Sequence, residues 1–254
     1  MYYQKILAID GGTRGQNFSK SLLMANQFLA GAKSLGVDVE YIRLASKKIH
    51  HCVGCYQCWT KNPGVCIFQD DMVVILEKLQ AADLAVFITP LYIFSVSALM
   101  KNFLDRLTPV LSHIMVENDN LSQHLLRNPV VGKWDFVVFA AAGFYEVEDN
   151  FEGIAVIFQN MHKRFVDMNL IGEFYLPAAE MLGHKLCRKR KLAVEKNCFA
   201  AGVQATSEGK IDPKYFAAVQ QIKISRTAFV QHSNMVWKKM VRNQENFCSP
   251  TNAL

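Results

Sequence analysis

Short apolar runs alternate with helix-period segments from the start of the chain to about residue 177, and that alternation restricts the fold to parallel strands joined by crossover helices. Lys5 to Ile9, Val37 to Leu44, Leu84 to Thr89, Phe136 to Ala142 and Leu170 to Leu176 read as strands. Ser19 to Leu35, Asp70 to Ala82, Ser97 to Leu107 and Phe151 to Phe165 read as the helices between them. Asp70 and Asp71 open their helix where its dipole favours acids. Five such strands build a three-layer, doubly wound α/β domain. The stretch from Pro109 to Lys133 has weak periodicity and reads as a long excursion near the site. Beyond Pro177 the pattern turns helical and more polar, with a break at Gly209 to Pro213. The expected organisation is therefore a domain over 1–177, carrying a cysteine loop at 50–71, and a helical extension over 178–254.

The second constraint is chemical. Of seven cysteines in 254 residues, Cys52, Cys55 and Cys58 stand at C-x2-C-x2-C spacing and Cys66 follows after a short Asn-Pro-Gly turn. Thiols at this pitch can converge on one point, where soft ligands select iron–sulfur clusters, zinc or copper(I). The spacing is that of iron–sulfur loops, whereas zinc usually takes two separated Cys-x2-Cys knuckles. Zinc, free structural thiols and thiol–disulfide exchange at Cys55 and Cys58 stay open as alternatives. An early acid after a very short apolar run excludes a signal peptide or membrane span at the start, so a reducing, cytoplasmic setting is expected. Cys187, Cys198 and Cys248 read as ordinary small buried residues. Net charge is +6, part of it in the run His184 to Lys191. Without interleaved aromatics that run reads as a solvated helix face, and no nucleic-acid partner is expected.

In an open parallel sheet, ligands bind beyond the carboxyl ends of the strands. Three segments fall there. Asp10 to Ser19 joins strand one to helix one; glycines such as Gly12 let amides approach an anion, and Thr13, Arg14, Asn17 and Ser19 supply donors. It is neither a Walker loop nor G-x-G-x-x-G. Pro90 to Ser97 offers Leu91, Tyr92, Ile93 and Phe94 as an apolar surface for a flat ring, with backbone amides expected to remain free. Ala140 to Tyr145 supplies small residues, Ala142 and Gly143, then the aromatic Phe144. A phosphate cradle with two ring-contacting loops describes a mononucleotide site, and flavin is the natural candidate.

Together these segments resemble the flavodoxin-like NAD(P)H-dependent FMN reductase family, and within it the iron–sulfur flavoproteins. The resemblance rests on Gly11 to Ser19, on Cys52 to Asp71 with its Cys-x-x-x-Asp-Asp-Met ending, on Pro90 to Ala98, and on Lys101 to Arg106. It implies a 2-1-3-4-5 sheet and FMN held by Gly12, Thr13, Arg14, Asn17, Phe18 and Ser19 at the phosphate. Pro90 to Phe94 would then lie at the isoalloxazine, and Ala142, Gly143 and Phe144 at the opposite rim. It further implies NAD(P)H as donor, a [4Fe–4S] cluster on Cys52, Cys55, Cys58 and Cys66, a small-molecule or ferredoxin-like acceptor, and homodimers or homotetramers. Gly12, Thr13 and Phe18 depart from the family's usual serine, proline and polar residue, which leaves fewer donors for the phosphate.

Overall fold

A computed structural model describes residues 1–15, 18–127 and 134–244. Its main sheet contains β1 (Lys5–Asp10), β2 (Asp38–Arg43), β3 (Leu84–Pro90), β6 (Trp134–Ala141) and β7 (Met168–Leu176), in the order β2-β1-β3-β6-β7. All neighbours are parallel, with Leu7 opposite Glu40 on one side and Ala85 on the other. This is the 2-1-3-4-5 order, because β4 (Leu111–Asn118) and β5 (Leu121–Leu126) lie outside the sheet. β1 and β3 are buried on both faces, which is why they read as unbroken apolar runs. Leu7 and Ile9 face one core with Phe87, Phe103 and Phe158; Ile6 and Ala8 face the other with Phe28, Phe139 and Phe174.

The helices are α1 (Lys20–Lys33), α2 (Met72–Gln80), α3 (Ala98–Asp105), α4 (Glu152–Arg164), α5 (Arg188–Glu208), α6 (Pro213–Gln220) and α7 (Arg226–Asn243). Ser19 caps α1 and Ser97 caps α3, each accepting from an amide three residues on. α5 ends at Gly209 in the left-handed conformation and α6 begins after the cap Asp212. α5 crosses α1 where Gly31 and Gly202 oppose backbone. A Cβ at Gly202 would overlap the Phe28 carbonyl oxygen, so side chains there would push the helices apart. Val194, Cys198, Ala201 and Ala205 of α5 share one core with α1 and the sheet, which is therefore continuous across residue 177.

Three local expectations change. The excursion after Pro109 contains an antiparallel hairpin, β4 (Leu111–Asn118) and β5 (Leu121–Leu126), turned by Asp119 and Asn120 at positive φ. It packs towards the cysteine loop, where the His124 ring meets Trp59 at 5.1 Å. Within the basic run, Arg190 is not a solvated charge. It donates to the Pro177, Ala178 and Gln221 carbonyls at 2.6, 3.1 and 3.0 Å, tying α5 to the end of β7. Cys198 is buried as expected and Cys187 half-buried, while Cys248 lies outside the described residues.

Candidate functional site

The carboxyl ends of β1, β3 and β6 open into a cleft of about 530 Å³, within the range of small-molecule sites. Its floor is the loop between β1 and α1. Asp10, buried at the strand end, accepts from the Gly12 amide at 2.8 Å and from the Tyr41 hydroxyl at 2.6 Å. Burial raises its pKa against those two bonds. Arg43 donates to the Thr13 and Arg14 carbonyls at 2.9 and 3.3 Å, which keeps the loop folded towards α1. The Ser97 hydroxyl donates to the Gly11 carbonyl at 2.6 Å and ties the same loop to α3.

Of the residues singled out for the cofactor, Gly12, Thr13, Arg14, Ser19, Pro90, Leu91, Tyr92, Ala142, Gly143 and Phe144 line the cleft. Phe18, Ile93 and Phe94 do not, and Asn17 lies outside the described residues. Ile93 and Phe94 form a tight turn, both at positive φ, between Tyr92 and Ser95, whose amides and carbonyls bond each other at 3.0 and 3.2 Å. The turn throws Ile93 outward at 92% exposure, and Phe94 stacks behind Phe144 at 5.7 Å. The amides of Leu91 and Tyr92 are not free, because they donate to the Ala141 and Ser95 carbonyls. The Ser19 hydroxyl is likewise engaged as the α1 cap.

Several cleft residues escaped the sequence reading. Lys20 adds a second cation, its pKa lowered by burial and by Arg14 against the pull of Glu180. Glu180 comes from the short helical turn after β7 and pairs with Arg14 at 2.5 Å. Overhead lies α7, contributing Phe229, Val230, His232, Ser233, Val236 and Trp237. It is held by Arg226 to Glu146 at 2.7 Å, by the Tyr145 hydroxyl to the Ile224 carbonyl at 2.7 Å, and by the His184 and His232 rings at 4.8 Å. Residues 229, 233, 236 and 237 share one helical face, a periodicity readable in advance had the tail been given a destination.

The four clustered cysteines line a separate recess of about 70 Å³. Cys52 and Cys55 are exposed, Cys66 half-buried and Cys58 buried, with burial and the neighbouring thiols raising the Cys58 pKa. Gly54 and Tyr56 take positive φ to turn the loop. The thiols surround the recess rather than meet at a point. Among the described residues no three Cys, His, Asp or Glu side chains are gathered closely enough to hold a single metal ion.

The loop's two ends meet at Asp70. Its carboxylate takes Arg106 in a two-pronged ion pair at 2.8 and 3.1 Å, with both side chains buried. It also accepts from the His50 amide and ring and from the Met72 amide. Burial alone would raise Asp70, but Arg106 and these donors outweigh it and hold the carboxyl well below the usual carboxylate range. Asp70 is thus a clamp ahead of α2 rather than a dipole acid within it. Arg106 also donates to the His50 carbonyl, and Asn102 to the Ile49 carbonyl. Burial works to lower the Arg106 pKa, yet Asp70 and the Cys66 thiol raise it. Its Nε is buried without a hydrogen-bond partner among the described residues.

A doubly wound sheet with a mononucleotide-sized cleft at its carboxyl edge defines a flavodoxin-like protein. Residues 4–143 match the family described as NADPH-dependent FMN reductase, and the chain belongs to that family. It is 33% identical over 106 residues to an iron–sulfur flavoprotein of Methanocaldococcus jannaschii, covering 42% of this chain and 53% of that one. An iron–sulfur flavoprotein of Archaeoglobus fulgidus is 36% identical over 102 residues, covering 40% and 48%. The chain spans about half the length of the curated relatives it matches. Among solved structures, an azoreductase from Bacillus anthracis aligns at a TM-score of 0.57 and 15% identity over 79% of this chain and 99% of that one. An FMN-dependent NADH-azoreductase from Bacillus anthracis, solved with FMN, aligns at 0.52 and 17% over 80% and 98%. At these identities the likeness is one of fold. No helix of the described residues is long and apolar enough to cross a membrane.

Proposed function

We propose that this chain is an FMN-dependent oxidoreductase that takes electrons from NAD(P)H and passes them to a small-molecule or protein acceptor, with Cys52, Cys55, Cys58 and Cys66 holding a [4Fe–4S] cluster. The observation that carries the reading is α3. Its N-cap Ser97 bonds the phosphate-side loop, its far end delivers Arg106 to the cysteine recess, and its eight residues span only about 12 Å.

The residues fit both groups. For FMN, the α1 N-terminus with Thr13, Arg14 and Lys20 is an anion cradle, and Pro90 to Tyr92 face Ala142 to Phe144 across a gap with apolar walls. α7 lies over this gap with Phe229 and Trp237. For the cluster, four thiols set around a recess suit ligands at separate corners better than a single ion, and the partnerless Arg106 Nε is a buried donor beside sulfur acceptors. Bound FMN would supply two-electron exchange with the nicotinamide and the cluster one-electron exchange with the acceptor. Met235 and Val241, apolar residues that α7 exposes away from the cleft, support self-association into a homodimer or homotetramer.

The test is the visible absorption spectrum of protein purified without oxygen, alongside Cys55→Ala. Flavin bands over broad iron–sulfur absorption are expected, with the variant losing iron and keeping flavin. Flavin bands without iron would leave a plain FMN reductase, and a protein that binds neither on reconstitution would overturn the reading.

A further inference from the structure

Among the described residues, Glu180 is the one carboxylate that lines the cleft, and it sits on the cation that a flavin phosphate needs. An arginine fork accepts carboxylate or phosphate in the same way, so the two anions compete for one partner. The pair is open to such competition, because Arg14 and Glu180 are 31% and 36% exposed.

We infer that Glu180 sets flavin specificity: it occupies Arg14 as an internal stand-in for phosphate, so that FMN is held exchangeably and with little preference over riboflavin. The inference rests on the flavin reading given above. Its physical basis is that Glu180 cannot leave the site. The turn carrying it is pinned by the Ala178 amide to the Phe144 carbonyl at 2.5 Å and by the Ala179 amide to the Ala142 carbonyl at 2.9 Å. Arg190 holds the Pro177 and Ala178 carbonyls from behind. Ala178 itself is left-handed, a conformation that persists only where its surroundings dictate it. Only the side chain can rotate aside, and a displaced carboxylate stays in the cleft beside the phosphate that displaced it, where like charges repel.

The neighbouring charges point the same way. Lys20 is half-stripped of water, and Glu180 is the group that supports its charge. Asp10 cannot take over, because it is 1% exposed and committed to Gly12 and Tyr41. Arg43 is turned to the loop carbonyls behind the cradle. Removing the Glu180 charge therefore leaves a cradle of cations with no carboxylate lining it, which phosphate satisfies and the uncharged ribityl end of riboflavin does not.

The experiment is a pair of flavin-fluorescence titrations, FMN and riboflavin, on the full chain and on Glu180→Gln and Glu180→Ala. Both variants are expected to bind FMN about tenfold more tightly than the parent while riboflavin affinity moves less than about twofold. Unchanged or weaker FMN binding in both variants, or equal tightening of both flavins, would overturn the inference while leaving the flavin reading in place. Failure of the parent and both variants to bind either flavin would overturn the flavin reading and the inference with it.

Discussion

The cleft and the cysteine recess stand at opposite ends of α3 and are built in opposite ways. The recess is bonded before anything enters it: the buried Asp70–Arg106 pair, joined by Asn102 and the exposed His50, forms one network that fixes both ends of the cysteine loop. The cleft, about 530 Å³ against 70 Å³, is assembled from loop ends, a turn with two residues at positive φ and a covering helix that buries no residue of its own. A site for a fixed inorganic group needs ligands held in register. A site for a flavin and a transient substrate needs walls that can part, and such elements come from the less stable end of a structure. Stability should therefore be concentrated at the recess.

The largest expected effect tests that directly. Asp70→Asn keeps the shape but leaves Arg106 as a buried cation without its counter-charge, which should cost about 3–5 kcal/mol in denaturant unfolding. The effect carries a pH signature. Because the folded-state pKa of Asp70 is depressed, its contribution is complete above the unfolded carboxyl value of about 3.9 and is lost as pH falls towards the folded value. The stability gap between parent and Asp70→Asn should be constant near neutrality and close below about pH 4. A gap under about 1 kcal/mol at pH 7 would mean that the recess is no stiffer than the cleft, and the contrast would fail.

That network also shows where the sequence was legible. The segments ending in Asp70-Asp71-Met72 and running from Lys101 to Arg106 were visible as motifs, but their being two halves of one clamp was not, since nothing local links Asp70 to Arg106, 36 residues apart. The sheet was legible because β1 and β3 are buried on both faces and carry unbroken apolar runs. The hairpin was missed although Asp119-Asn120 is a turn signal, because its strands are only partly buried and alternate weakly. In the cleft, residues contributed by the β1 and β6 loops were found by position at strand ends. Glu180 and the α7 residues were not, because the tail's place over the cleft is a tertiary fact.

A smaller effect lies on the helix that joins the two sites. Ser97→Ala removes the α3 cap, which the Met100 amide uses at 3.1 Å, and leaves the Gly11 carbonyl without its 2.6 Å donor. The loss should be about 1–2 kcal/mol, and if α3 transmits order to the cradle, FMN affinity should fall with it. Loss of stability with unaltered FMN titration would separate the helix from the cradle and sharpen the contrast between the two ends.

The smallest effect has the opposite sign. Ile93 holds φ at +46°, a conformation that costs a β-branched residue about 1–2 kcal/mol, and at 92% exposure its side chain gains little burial in return. Glycine removes the strain, while the freedom it adds to the unfolded chain takes back about 0.5–1 kcal/mol. Ile93→Gly should therefore stabilise the protein by about 0.5 kcal/mol, readable as a shift in denaturant midpoint. The same change loosens the turn that supports Tyr92 and places Phe94 behind Phe144, so FMN should bind more weakly even as the fold gains. Stabilisation with tighter or unchanged FMN binding would show that the left-handed turn is not part of the ring site. Stabilisation with weaker binding would show that the cleft holds its ring wall in place at the expense of the fold, as the recess does not.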